Sequence, residues 1–282
     1  MDIVTSAATY MQLNARLLDR YRFEALFRNG DRRRVLDALR AYQNHDGGFG
    51  NALEPDLRGP GSQPEPVEVA FHILDELDAF DDPMVNGACA YLGNVCRPDG
   101  GVPFVLPSVR DTPRAPWWQT DDDPPGSLVP TASIVGLLHK HRGRHPWLQR
   151  ATAFCWSAIA AIKDETSPYE ARAVVLFLES VADRERAEAE FARLKEAILA
   201  TVALDPDTPG AAHFPLDFAP APMRLPLFGQ EVIERHLDAL VAQQKDGGWG
   251  FNWPAWTPAV QTEWGGHITV ERLKTLRAYG RI

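Results

Sequence analysis

Gln43-Asn44-His45-Asp46-Gly47-Gly48-Phe49-Gly50 is answered near the other end of the chain by Gln244-Lys245-Asp246-Gly247-Gly248-Trp249-Gly250, and a shorter copy, Arg97-Pro98-Asp99-Gly100-Gly101-Val102, stands between them. The aspartates are 53 and then 147 residues apart. Since 147 is three times 49, the spacing predicts a unit of about 50 residues, with degraded copies near Lys163-Asp164 and Asp205-Pro206-Asp207. Each copy carries its own physics. Glycine permits the positive φ that ends a helix, the aspartate accepts from nearby amides, and the residue after the second glycine packs back on the repeat.

Outward from the first copy the apolar spacing is helical on both sides. Val35, Leu36, Leu39 and Tyr42 precede the turn, and Val67, Ala70, Phe71, Leu74 and Leu77 follow its loop. The unit therefore reads as helix, Asp-Gly-Gly turn, loop, helix. This predicts first helices near 31–44, 83–97, 146–163, 184–204 and 229–244, with partners near 65–79, 128–141, 167–182 and 263–279. An N-terminal helix near 4–28 supplies the fifth partner, and the proline-rich stretch 205–227 crosses as an irregular loop. The expected fold class is all-α: a single α/α toroid (barrel) of about five to six helix pairs, one domain over residues 1–282.

Composition agrees with a packed globular chain, 45% hydrophobic and 24% charged. The net charge of -9 leaves no basic excess to neutralise a phosphate backbone, so nucleic acid is not an expected partner. No stretch approaches the roughly 20 apolar residues of a membrane span, and no leader pattern opens the sequence, so a cytoplasmic protein without an integral membrane segment is expected. Cys89 and Cys96, seven apart on one helix face, read as small core hydrophobes.

The segments Gln43 to Phe49 and Gln244 to Trp249 resemble the Gln/Trp repeats of squalene-hopene cyclases, plant class II diterpene cyclases and protein prenyltransferase β subunits. The resemblance implies inner helices around an apolar, aromatic-lined pocket and an isoprenoid or other small apolar ligand. Such cyclases carry an Asp-x-Asp-Asp acid motif followed by Thr-Ala at an inner-helix start. Here Ser127-Leu128-Val129-Pro130-Thr131-Ala132 keeps Thr-Ala and has no acid, while Asp121-Asp122-Asp123 lies upstream in a loop. The prenyltransferase zinc needs an Asp, Cys and His set, and no Asp-x-Cys pair occurs. Asp75-Glu76-Leu77-Asp78 with Asp81-Asp82 reads as a solvated helix end rather than a magnesium site. No cofactor is expected, magnesium entering only with a diphosphate-bearing substrate.

Loops that follow the Asp-Gly-Gly turns should emerge together at the pocket mouth. In the first, Glu54, Asp56 and Arg58 crowd within five residues, with Gln63 closing the loop. Such a group can hold one acid protonated while the arginine steadies the other or grips an anion, which makes Glu54 and Asp56 the candidate catalytic acids and Arg58 and Gln63 candidate substrate contacts. The later loops bring Trp117 and Trp118, then Trp253, Trp256, Glu263, Trp264 and His267, as candidate substrate-binding residues. Indole faces suit a carbocation, a sugar ring or plain core packing. Glu68 and Glu263 are expected at or just before inner-helix N-termini, where a carboxylate is favoured by the helix dipole, and Glu68 reads as a cap.

Three functions follow as expectations. The first is an isoprenoid-processing enzyme, a terpene cyclase with a non-standard carboxylic acid as proton donor. The second is a binding toroid without chemistry. The third is a carbohydrate-active barrel whose carboxylate pair joins Glu54 or Asp56 to Glu263 or Asp123.

Overall fold

The computed structural model describes residues 2–282. Among them the regular structure is entirely helical, in twelve α-helices and one 3-10 turn at Pro107–Asp111. They are α1 (Ile3–Asn14), α2 (Leu17–Phe27), α3 (Arg32–Arg40), α4 (Pro64–Glu76), α5 (Pro83–Val95), α6 (Leu128–Lys140), α7 (Pro146–Ala161), α8 (Pro168–Ser180), α9 (Arg184–Leu199), α10 (Pro215–Phe218), α11 (Gln230–Ala242) and α12 (Pro258–Ala278). The helices fall into two compact units. One comprises the segment ending at Ala38 together with Val202–Ile282, the other Leu39–Thr201.

In the second unit α4, α6 and α8 lie side by side, and α5, α7 and α9 back them in an outer row. The stripe read from sequence on α4 is the buried one: Val67, Ala70, Phe71 and Leu74 have no accessible surface. Between α6 and α8 the packing is tightest at Gly136, where a Cβ would stand 3.0 Å from the Leu176 carbonyl oxygen. In the first unit α12 packs against α1, α2 and α11. Met11, Phe23, Leu237, Trp249, Val270 and Leu273 share its core.

The three repeats do the same mechanical work. Gly47, Gly100 and Gly247 all have positive φ, at 87°, 97° and 90°. A Cβ on them would lie 2.3 Å from the Gly87 carbonyl oxygen, 2.5 Å from the Arg150 carbonyl carbon and 2.3 Å from the Ser6 carbonyl oxygen, each on the next outer helix. The second glycines, Gly48, Gly101 and Gly248, lie under Tyr91, Phe154 and Tyr10, each four residues further along that same helix. The glutamines complete the joint: Gln43 Nε2 donates to the Gly47 and Met84 carbonyls, and Gln244 Nε2 to the Gly247 and Ile3 carbonyls. Within the first unit, α1 thus stands to the last repeat as α5 stands to the first.

Four sequence expectations change. The N-terminal helix is broken, because Ala15 and Arg16 are extended. No proline or glycine marks the break. Gly266 of α12 admits the Ala15 side chain there, a Cβ on Gly266 falling 2.7 Å from it, while Arg16 turns to Asp19 at 2.8 Å. The last inner helix begins at Pro258 with Thr257 as its cap, a Thr-Pro start signal that shifts Glu263 into the second turn. Glu68 likewise sits inside α4, not at its cap. A single turn, α10, interrupts the 205–227 loop, with Asp217 accepting from the Phe214 amide at 2.9 Å. The degraded copy at Asp205 keeps its turn, accepting from the Asp207 amide as Asp46 does from Gly48 and Asp99 from Gly101.

Candidate functional site

The loop 51–63 folds inward because its ends are tied. Gln63 pairs with Phe49 across the loop base, Leu57 with Arg114, and Ala115 donates to the Asp56 carbonyl at 2.9 Å. Glu54 and Asp56 are carried into the interior of the second unit, 3% and 2% exposed. Gln63 is engaged structurally: its amide donates to Ser108 and accepts from the Leu106 backbone at 2.7 Å, holding the next loop. Arg58 donates to the Pro55 carbonyl at 3.3 Å.

What sequence reading missed is the partner of Glu54. α4 opens with Pro64-Glu65-Pro66, and Glu65 is half-buried there. Burial pushes its carboxyl well above the usual carboxylate range, the charges of Glu68 and Glu54 push the same way, and a hydrogen bond with Glu68 adds to them. Arg172 of α8 pulls in the opposite direction without prevailing. Glu65 therefore holds its proton to a higher pH than an ordinary carboxyl does. Oε2 of Glu65 and Oε2 of Glu68 are both buried without a hydrogen-bond partner, and Glu68 Oε1 lies 3.7 Å from His72 Nε2. The signal was present as Glu65-x-x-Glu68, an i,i+3 acid pair on one helix face.

The aromatic candidates divide. Trp118 is buried and stacked on Phe104 at 4.7 Å, with its indole N–H unsatisfied, whereas Trp117 is 43% exposed beside it. A groove of about 590 Å³ in the same unit is lined by Phe104, Gln119, Asp121, Ser127, Phe154 and Glu170; the acid cluster is not among its walls. Asp123 is 79% exposed and paired with Arg97, and Asp122 is 93% exposed and paired with Arg110, so Asp123 is a surface ion and not half of a glycosidase pair. Thr131 accepts from the Val102 amide at 3.0 Å and fixes the second repeat. Asp75 clamps Lys140 and His141, and Asp82 caps α5. Cys89 is buried with its thiol pushed up to about 12 by desolvation, while Cys96 is only half-buried. Among the described residues no group of three or more His, Cys, Asp or Glu is arranged to hold a metal.

In the first unit Phe251, Trp253, Trp264 and His267 form a run of ring contacts 4.5, 5.3 and 5.3 Å apart. Trp256 is half-buried in the preceding loop and Glu263 half-buried on α12. His267 leads to a charge network that sequence gave no sign of, because its members are up to 249 residues apart: fully buried Arg22 donates to Asp19, to His267 Nδ1 and to Glu271. Burial, then Arg22, lower the His267 pKa to about 4. Burial opposes ionisation of Glu271, but Lys274, Arg22 and His267 outweigh it and hold the carboxyl well below its usual range. No helix among the described residues is long and apolar enough to cross a membrane.

No family model matches the chain, and no curated protein is similar to it. A crystal structure of a protein from Actinoplanes is similar, with a TM-score of 0.58 and 20% identity over 98% of this chain and 88% of that one. At that identity the likeness concerns the fold alone.

Proposed function

We propose that the chain is an acid-catalysing, isoprenoid-processing enzyme of the toroid type, with Glu65 as its proton donor. The observation that carries this reading is the Glu65 carboxyl, whose pKa is raised by burial and by the charges of Glu68 and Glu54 beside it. A carboxylic acid with a raised pKa holds its proton more tightly and gives it up reluctantly, so it suits an oxygen better than an unactivated double bond. The substrate oxygen is then an epoxide or allylic C–O oxygen, whose protonation breaks the bond and leaves a carbocation. Glu68 and Glu54 are the neighbours whose charge opposes ionisation of Glu65, and Glu65 replaces Glu54 and Asp56 as the acid. The repeat resemblance supports the isoprenoid class.

Carbohydrate processing is the second reading, since glycoside cleavage also uses a carboxylic acid with a raised pKa as its proton donor. Product analysis with farnesyl and geranylgeranyl substrates bearing epoxide or allylic oxygen, run beside aryl glycosides, separates the two. Glu65→Gln should lower kcat roughly 10²–10⁴-fold and remove the alkaline limb of the rate profile. Full turnover in that variant would remove Glu65 from the chemistry.

A further inference from the structure

On α12 of the first unit, Trp264, His267 and Glu271 recur at spacings of three and four, which puts them on one helix face. Arg22 carries only hydrogen-bond donors, and its guanidinium lies 3.0 Å from His267 Nδ1. Nδ1 must therefore accept, and the single ring proton must sit on Nε2. Nε2 makes no hydrogen bond among the described residues and is not one of the buried unpartnered atoms, while the side chain is 16% exposed. Its N–H is an unused donor of fixed tautomer facing accessible space. One turn on, the Glu271 carboxylate is 34% accessible and pinned by Lys274 at 2.9 Å.

We infer that this face is a binding site for a hydroxyl group on an apolar or ring-shaped body. The hydroxyl accepts from His267 Nε2–H and donates to Glu271, and its carbon frame lies against Trp264 and Trp253, whose rings meet edge to face at 5.3 Å. A phosphate is disfavoured here because the cations beside His267 and Glu271 already face carboxylates: Arg22 pairs with Asp19 at 2.8 Å and Lys274 with Glu271 at 2.9 Å. A neutral oxygen needs one donor and one acceptor, which is what the face presents. A sugar hydroxyl and an isoprenoid alcohol share this chemistry. The inference stands independently of Glu65.

The test is an NMR titration of the ¹⁵N-histidine-labelled wild-type protein with cellobiose, with farnesol and with the hydrocarbon farnesene. The expected result is a free-state His267 spectrum with Nε2 protonated and Nδ1 bare, and a shift of the Nε2 resonance on adding cellobiose or farnesol but not farnesene. Cellobiose alone acting names the sugar, and farnesol alone names the isoprenoid alcohol. A proton on Nδ1, no response to either hydroxylated probe, or an equal response to farnesene would each overturn the site. Trp264→Phe, which leaves the charge network intact, should weaken binding of the active probe about tenfold. Unchanged affinity in that variant would overturn the indole contact on which the site depends.

Discussion

Arg22 donates to His267 Nδ1 at 3.0 Å, and the two residues lie 245 positions apart in sequence. The contact forbids a proton on that nitrogen, so protonating the ring means breaking the contact or placing two cations together inside the first unit. Burial and Arg22 accordingly lower the His267 pKa to about 4 from 6.5. The native state favours neutral imidazole. This contribution to stability is complete above the unfolded value near 6.5 and is lost as pH falls toward about 4, a loss on the order of 3 kcal/mol. Melting temperatures of wild type and His267→Phe across that window check it. The variant should start lower, because Arg22 loses a partner, and decline less steeply. Parallel slopes would assign the acid sensitivity elsewhere.

Glu65 has the opposite sign. Its folded pKa is raised, so stability is fullest below the unfolded value of 4.5 and declines as pH rises toward the folded pKa. Glu65→Gln keeps the shape and removes the charge. Its melting temperature should gain steadily on wild type as pH rises above the unfolded value of 4.5. A constant difference over that range would mean that Glu65 ionises normally.

Gly47 combines a φ of 87° with a Cβ position 2.3 Å from the Gly87 carbonyl oxygen, whereas Gly210 has a φ of 73° and nothing within 4 Å. Both pay the conformational penalty on gaining a side chain, but only Gly47 meets backbone. Gly47→Ala should cost about 3 kcal/mol or more and Gly210→Ala about 1 kcal/mol. Chemical denaturation of the two variants distinguishes a docking joint from a simple turn.

Gln43 bonds its own turn and the first turn of α5, so one amide joins two helical layers of the second unit. Gln43→Ala should destabilise by about 1 to 2 kcal/mol, since two carbonyls lose a donor. Gln244→Ala, which releases the Ile3 carbonyl, should loosen α1. Hydrogen exchange of the α1 amides is the direct measurement, and unchanged protection there would show that Gln244 is dispensable to that joint.

How far the site could be read from sequence depended on how local each signal was. Glu54 and Asp56 stood out because acids crowd a proline-rich loop, and both are indeed interior. Glu65 escaped because Pro64 and Pro66 flank it and its meaning comes from Glu54, eleven residues earlier, and Arg172 on another helix. Asp123 looked equivalent to Glu54 by composition, yet it is a solvated partner of Arg97. His267 was selected for its aromatic neighbours, and only Arg22 decides its protonation.

The sequence by itself determined the repeat, the all-helical class and the joints between successive helices. Those rest on short-range chemistry: a glycine that alone tolerates its φ, a glutamine at fixed distance from it, an apolar stripe with helical period. Tertiary structure decided where the N-terminal helix breaks, which carboxyl has its pKa raised and which imidazole nitrogen faces Arg22. Those depend on groups brought together from distant positions, since burial and neighbouring charge set a pKa and neither is a property of the residue that titrates.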